Sequence, residues 1–147
     1  MHYFNVLIVD DEEDFLETII KRLNKRQVDA SGARSGEEAL ELLKEKTFDV
    51  VILDIKMPGG MDGIEALREI KKIQPLAEVI LLTGHASVET SIEGMKLGAF
   101  DYLLKPAHFG ELTAKLESAR KRKDEQAERI RKAEVKLLLR KSGGIWT

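Results

Sequence analysis

Apolar residues in this chain gather into five short runs: FNVLIVD (Phe4 to Asp10), QVDASGA (Gln27 to Ala33), FDVVILD (Phe48 to Asp54), EVILLTG (Glu78 to Gly84) and FDYLLKP (Phe100 to Pro106). The strongest of them do not alternate with polar residues, which is the pattern of parallel strands covered on both faces. Between the runs the spacing changes to that of helices with one apolar face: Phe15, Leu16, Ile19, Ile20 and Leu23 in one segment, and Ile64, Leu67, Ile70 and Ile73 in another. Ser35 with Glu38 three residues on has capping-box spacing and opens a helix between these two, Pro75 closes the segment Asp62 to Ile73, and Ser87 to Ala99 supplies a fourth helix. The alternation predicts an α/β fold, a (βα)5 doubly wound, five-stranded parallel sheet with helices on both faces. QVDASGA is the weakest run and is expected near an edge, FDVVILD the most apolar and expected at the centre. Right-handed crossovers then line up the ends of strands 1, 3, 4 and 5 along one edge of the sheet.

The helical pattern continues past the fifth strand. Leu112, Leu116, Ala119, Lys123, Gln126, Ile130, Ala133 and Leu137 are separated alternately by four and three residues, which predicts one long helix with heptad spacing, interrupted in apolar character at Lys123 and Gln126. We therefore divide the chain into a domain over residues 1–120 and, over residues 121–147, an extension of the fifth helix that serves as a coiled-coil linker and ends in a loose tail, SGGIWT.

Composition narrows the chemistry. The 147 residues suit one domain, and the absence of cysteine excludes disulfides, thiolate catalysis and sulfur-held metals. No apolar run approaches a membrane span and the amino terminus lacks a signal pattern, so the expected location is cytoplasmic. The net charge of −2 divides unevenly: residues 120–147 hold ten Lys and Arg against four Asp and Glu, a local +6, leaving −8 for residues 1–119. The basic run RKRK at residues 120–123 reads as the solvated face of a helix, and direct nucleic-acid binding is not expected.

Three of the aligned strand ends carry residues that are expensive to bury: Asp10 and Asp11 after strand 1, Asp54 after strand 3 and Lys105 after strand 5, with the Thr83 hydroxyl at the end of strand 4. Carboxylates gathered away from water repel one another unless a cation joins them. An all-oxygen donor set with no sulfur suits Mg2+, or Mn2+ in its place. A carboxylate nucleophile, a divalent ion, a lysine and a hydroxyl are the parts needed to receive a phosphoryl group. Asp54, the last residue of the central strand, is the expected acceptor, and the Pro58-Gly59-Gly60 turn is expected to curl over the site and present a carbonyl to the metal.

Taken together, LIVDDE, VILDIKMP, DG, LLTGHA and GAFDYLLKP, over about residues 4 to 120, resemble the receiver domain of bacterial two-component response regulators. The block from Thr83 to Pro106 is similar to receivers of enhancer-binding, nitrogen-regulation type transcription regulators. The resemblance implies a flavodoxin-like receiver topology and phosphoryl transfer to Asp54 from a sensor histidine kinase or phosphotransfer protein. It implies Asp11, Asp54 and the Lys56 carbonyl as Mg2+ ligands, Asp10 on metal-bound water, Lys105 on a phosphoryl oxygen, and Thr83 and Tyr102 as a switch pair. It also implies a cis Lys105–Pro106 peptide and, at Lys56 and His85, either side chains that tune dephosphorylation or side chains that only face solvent. The output would be a changed surface on helix 4, strand 5 and helix 5, offered to a downstream effector domain or protein, with a homodimer forming through that face and the long helix. Such a domain is a switch with weak self-catalysis, not a dedicated enzyme. The chain departs from the family pattern at Gly59-Gly60, one residue longer than usual, and at Ala107, where phenylalanine is usual and Phe109 follows two positions on.

The competing reading is a receiver-like binding module that works without phosphorylation. A flavin site is opposed by Asp10-Asp11-Glu12-Glu13, which repels phosphate where a phosphate-cradling loop would be needed, and a phosphatase lacks an evident general acid near Asp54.

Overall fold

The computed structural model describes residues 4–84 and 88–143. Its elements run β1 (Asn5–Val9), α1 (Glu13–Lys25), β2 (Asp29–Ala33), α2 (Gly36–Glu45), β3 (Val50–Asp54), α3 (Gly63–Ile73), β4 (Glu78–Thr83), α4 (Val88–Lys96), β5 (Asp101–Leu104) and α5 (Phe109–Lys141). The strands pair in parallel in the order β2-β1-β3-β4-β5, with the weakest run at an edge and the most apolar in the centre. The order reverses direction between β1 and β3, and in such a sheet the crevice beyond the carboxyl ends of those two strands is where ligands bind.

Alternate residues of each strand build the two halves of the core. Leu7, Val9, Val51, Leu53, Val79 and Leu81 pack with α2 and α3 on one face. Val6, Ile8, Val50, Ile52, Ile80 and Leu82 pack with Leu16, Ile19 and Leu23 of α1 and Leu112, Leu116 and Ala119 of α5 on the other. With both faces covered, all five residues of β3 are buried, which is why that run reads as continuously apolar.

Local signals place the helix ends. Ser35 Oγ accepts from the Glu38 N–H at 3.1 Å, while the Glu38 carboxylate reaches back one residue further than a capping box, to the Arg34 N–H at 3.2 Å. Asp62 caps α3 by accepting from the Glu65 N–H at 2.9 Å. The helix α5 begins at Phe109, whose ring lies under the guanidinium of Arg22 at 3.9 Å and that of Arg26 at 5.0 Å, so the phenylalanine displaced from position 107 joins α5 to α1.

The expectation that RKRK is a solvated face holds for Lys121 and Arg122, which are exposed, and is corrected at the other two. Arg120 stacks over Phe4 and Lys123 donates to Asp49 at 2.6 Å, so these two side chains dock on the sheet, while Arg122 Nε lies 3.5 Å from Glu78 at its edge. Beyond them, residues 131–141 are exposed throughout.

Candidate functional site

The site forms where β1, β3 and β5 end. Asp10 and Asp54 flank the crevice at the reversal of strand order, and both are buried, at 0% and 4% relative exposure. Lys105, one residue past β5, reaches across to both: its Nζ donates to Asp10 Oδ2 at 2.8 Å and to Asp54 Oδ2 at 3.4 Å, and Glu12 Oε1 lies at 3.8 Å. The same ammonium sits 5.2 Å from the centre of the Phe15 ring. The peptide between Lys105 and Pro106 is cis, as expected.

The remaining carboxylate oxygens are held by the backbone. Asp10 Oδ1 accepts from the Glu12 N–H at 2.9 Å, and Asp54 Oδ1 from the Lys56 N–H at 3.2 Å. Burial is the largest influence on Asp54 and, with the charge of Asp10, pushes its carboxyl above the usual 3.8 despite the opposing pull of Lys105 and the Lys56 N–H. Burial works against the Lys105 ammonium, but the hydrogen bond and charge of Asp10, joined by Asp54 and Glu12, outweigh it and hold the lysine above its usual 10.5.

Asp11 is exposed at the rim, and ligand oxygens of Asp10, Asp11 and Asp54 all come within 4.8 Å of one another, a group able to hold a metal ion. Every donor in it is a carboxylate oxygen, which fits a hard divalent cation such as Mg2+. The fit is electrostatic as well: the three carboxylates exceed the single charge that Lys105 brings to them.

Thr83 ends β4, buried beside the pair, and its carbonyl accepts from the Lys105 N–H at 2.8 Å, so hydroxyl and lysine are carried by neighbouring strand ends. Tyr102 lies on β5 at 41% exposure, as does Leu104 at 52%, and on α4 Ile92 is exposed at 49% and Met95 at 42%. The Lys56 side chain is exposed. His85 lies outside the described residues.

Two supports were not read from sequence. Gly63 starts α3 so close to the acceptor strand that a Cβ there would stand 2.5 Å from the Asp54 carbonyl oxygen and from Ile55 Cα, so only glycine lets the helix start beneath Asp54. The second is Glu37 on α2, whose Oε1 accepts from the Met61 N–H at 2.9 Å. Gly59 and Gly60 both stand at positive φ and Gly60 lies beside that carboxylate, so the β3–α3 loop is held against α2. The DG pair was a visible signal for the first; nothing in the chain pointed to the second.

The profile of the family described as "Response regulator receiver domain" matches residues 6–117. The chain belongs to that family. This receiver is 41% identical over 115 residues to the transcriptional regulatory protein ZraR of Escherichia coli K12, a match covering 78% of the chain and 26% of that protein. It is also 41% identical over 120 residues to a putative response regulator, NtrX-like, of Rickettsia bellii, covering 81% of the chain and 25% of the relative. The chain thus spans about a quarter of the length of these curated relatives, which are regulators of the enhancer-binding type expected from the Thr83 to Pro106 block. Among solved structures, the receiver domain protein from Clostridium thermocellum superposes with a TM-score of 0.77 at 40% identity, covering 82% of this chain and 97% of that one. The fold and the family are therefore those expected, and the reading as a module independent of phosphorylation is not favoured.

Proposed function

We propose that this receiver takes a phosphoryl group on Asp54 from the phosphohistidine of a sensor kinase or phosphotransfer protein. The observation that carries the proposal is the Lys105 ammonium bonded to both Asp10 and Asp54 across the crevice at the sheet's carboxyl edge. In the transfer, a carboxylate oxygen of Asp54 bonds to phosphorus as the phosphorus–nitrogen bond of the donor histidine breaks, and the imidazole departs with the electron pair. Hydrolysis of the resulting acyl phosphate returns the carboxylate and inorganic phosphate.

Asp54 supplies the nucleophile, the Lys56 N–H orients it, and Lys105 is within reach of an incoming phosphoryl oxygen. Thr83, buried at the adjacent strand end, serves another phosphoryl oxygen in this reading. Asp11, Asp54 and the Lys56 carbonyl would hold Mg2+, with Asp10 on its water; when bound, the ion supplies positive charge against the carboxylates and the phosphoryl oxygens. Lys56 is exposed beside the acceptor, where its side chain can impede an attacking water; the same role is proposed for His85.

Recruitment of Thr83 to the phosphoryl group, followed by Tyr102, alters the face of α4, β5 and α5. The exposed Ile92, Met95, Tyr102 and Leu104 make that face apolar enough to receive an effector domain or a second receiver. The α5 extension gives a second contact. It carries Ile130 at 44% exposure and Leu137 at 53%, apolar side chains in heptad spacing that pairing with another copy would bury.

Incubation with acetyl phosphate and Mg2+, read by intact mass, tests the assignment. One phosphoryl group is expected on the wild type and none on Asp54→Ala; a modification mapped to another residue overturns it.

A further inference from the structure

The edge of the sheet opposite the carboxylate crevice holds a second ionic cluster. Asp49, which precedes β3, and Glu78, which opens β4, are buried at 2% and 6% exposure. Asp49 is fixed by accepting from the Asn5 N–H at 2.8 Å through Oδ2, leaving Oδ1 to accept from Lys123 Nζ at 2.6 Å. Glu78 Oε2 lies 3.5 Å from Arg122 Nε, and the Arg122 guanidinium also lies 5.6 Å from the Phe100 ring centre. Lys71 of α3 ties down the approach to β4 by donating to the Pro75 and Ala77 carbonyls, both at 2.9 Å.

Helix geometry explains why the contacts fall at these two residues. A five-residue strand is about 17 Å long, a distance that a helix running back along it covers in about 11 residues. Starting from Leu112 at the carboxyl edge, α5 therefore reaches the amino edge at Lys123. A long cation there extends the line of Leu112, Leu116 and Ala119 and meets the first carboxylate beyond the apolar core. No proline or glycine lies between Glu111 and Ser142, so the helix has none of the usual causes of a kink as it passes that point.

We propose that Asp49 with Lys123, and Glu78 with Arg122, form a clamp that fixes the direction in which α5 leaves the receiver, so that the extension is a rigid arm and not a flexible linker. The clamp sets which side of the arm a partner meets. Ile130 and Leu137 follow Leu112 and Ala119 by 18 residues each, five turns, and so lie on the face of α5 that covers the sheet. The inference is independent of the phosphoryl chemistry and of whether the arm's partner is a second copy.

The chain has no cysteine, so two can be introduced for spin labels at exposed positions, Lys72→Cys on α3 and Lys136→Cys on the arm. Labelled protein diluted in excess unlabelled chain, to remove distances between copies, is expected to give one narrow distance distribution. Lys123→Gln combined with Arg122→Gln is expected to broaden it at least about twofold, and Asp49→Asn, which keeps an acceptor for the Asn5 N–H, to broaden it as well. Lys123→Arg should restore the narrow form. Far-ultraviolet circular dichroism and a cooperative thermal melt check that each variant is folded. A folded double variant whose distribution superposes on that of the parent overturns the proposal, as does a parent distribution that is already broad.

Discussion

Asp54→Asn removes one negative charge from the crevice while keeping an oxygen to accept the Lys56 N–H. At an effective dielectric of about 20, unit charges 4.8 Å apart repel by about 3.5 kcal/mol, the least expected between Asp54 and Asp10 when both are ionised. The attraction lost with Lys105 at 3.4 Å is about 5 kcal/mol on the same scale. The balance is tipped by a smaller repulsion from exposed Asp11 and by relief of the burial that already holds Asp54 above its usual carboxylate range. We expect the substitution to raise the Tm of the metal-free receiver at pH 7, because burial, the largest influence on Asp54, penalises only its charged form. The direction follows from linkage. The folded state holds the Asp54 proton more tightly than the unfolded chain, so stability falls as pH rises from the usual 3.8 through the raised value, and the variant's advantage fades in acid. Mg2+ at ten times its dissociation constant should then stabilise the wild type by about 1.4 kcal/mol and the variant far less, narrowing the gap. Calorimetry with chelator and with Mg2+ decides the matter: a variant melting at or below the wild type in chelator, or responding equally to Mg2+, refutes the reasoning.

Other expectations follow from the same geometry. Lys105 is held above 10.5, so its pairing stabilises the fold below that pH and is lost as pH rises through the raised value; urea titrations of wild type and Lys105→Met should converge in strong alkali. Gly63→Ala forces a Cβ to within 2.5 Å of the Asp54 carbonyl oxygen and should cost about 3 kcal/mol in urea unfolding, with slower phosphorylation by acetyl phosphate. Glu37→Ala frees the β3–α3 loop from α2 and should cost about 1 kcal/mol in chemical denaturation while changing the lifetime of the acyl phosphate, followed by the decay of intact mass. Ile130→Asp with Leu137→Asp should leave phosphorylation intact and lower the dimer fraction seen by light scattering.

The sheet was legible because strands buried on both faces must be apolar throughout, and β1, β3 and β4 leave little room for another reading. The charged cluster at the carboxyl edge was legible for a related reason: Asp10, Asp54 and Lys105 interrupt apolar runs where burial is costly, so each advertises a partner. Contacts made by ordinary surface residues carry no such mark. Glu37 looks like any first-turn helix acid, yet it holds a loop 24 residues away. Lys123 looked like a flaw in a heptad, because its partner Asp49 is 74 positions distant and reads as a residue at the start of a strand. The five-turn return of Ile130 and Leu137 onto the covered face of α5 is arithmetic on the sequence, but it acquires meaning only once the structure shows where the sheet ends.

Strand β3 joins the two ionic centres, with Asp49 just before its first residue and Asp54 at its last. Paired on both sides and buried along its whole length, it behaves as a strut, with a reactive tip and an anchored foot. A strut does not bend to carry news. The foot is expected to stay put when the tip is modified, leaving the arm as a fixed mast and confining the change of state to the flank formed by α4, β5 and the start of α5.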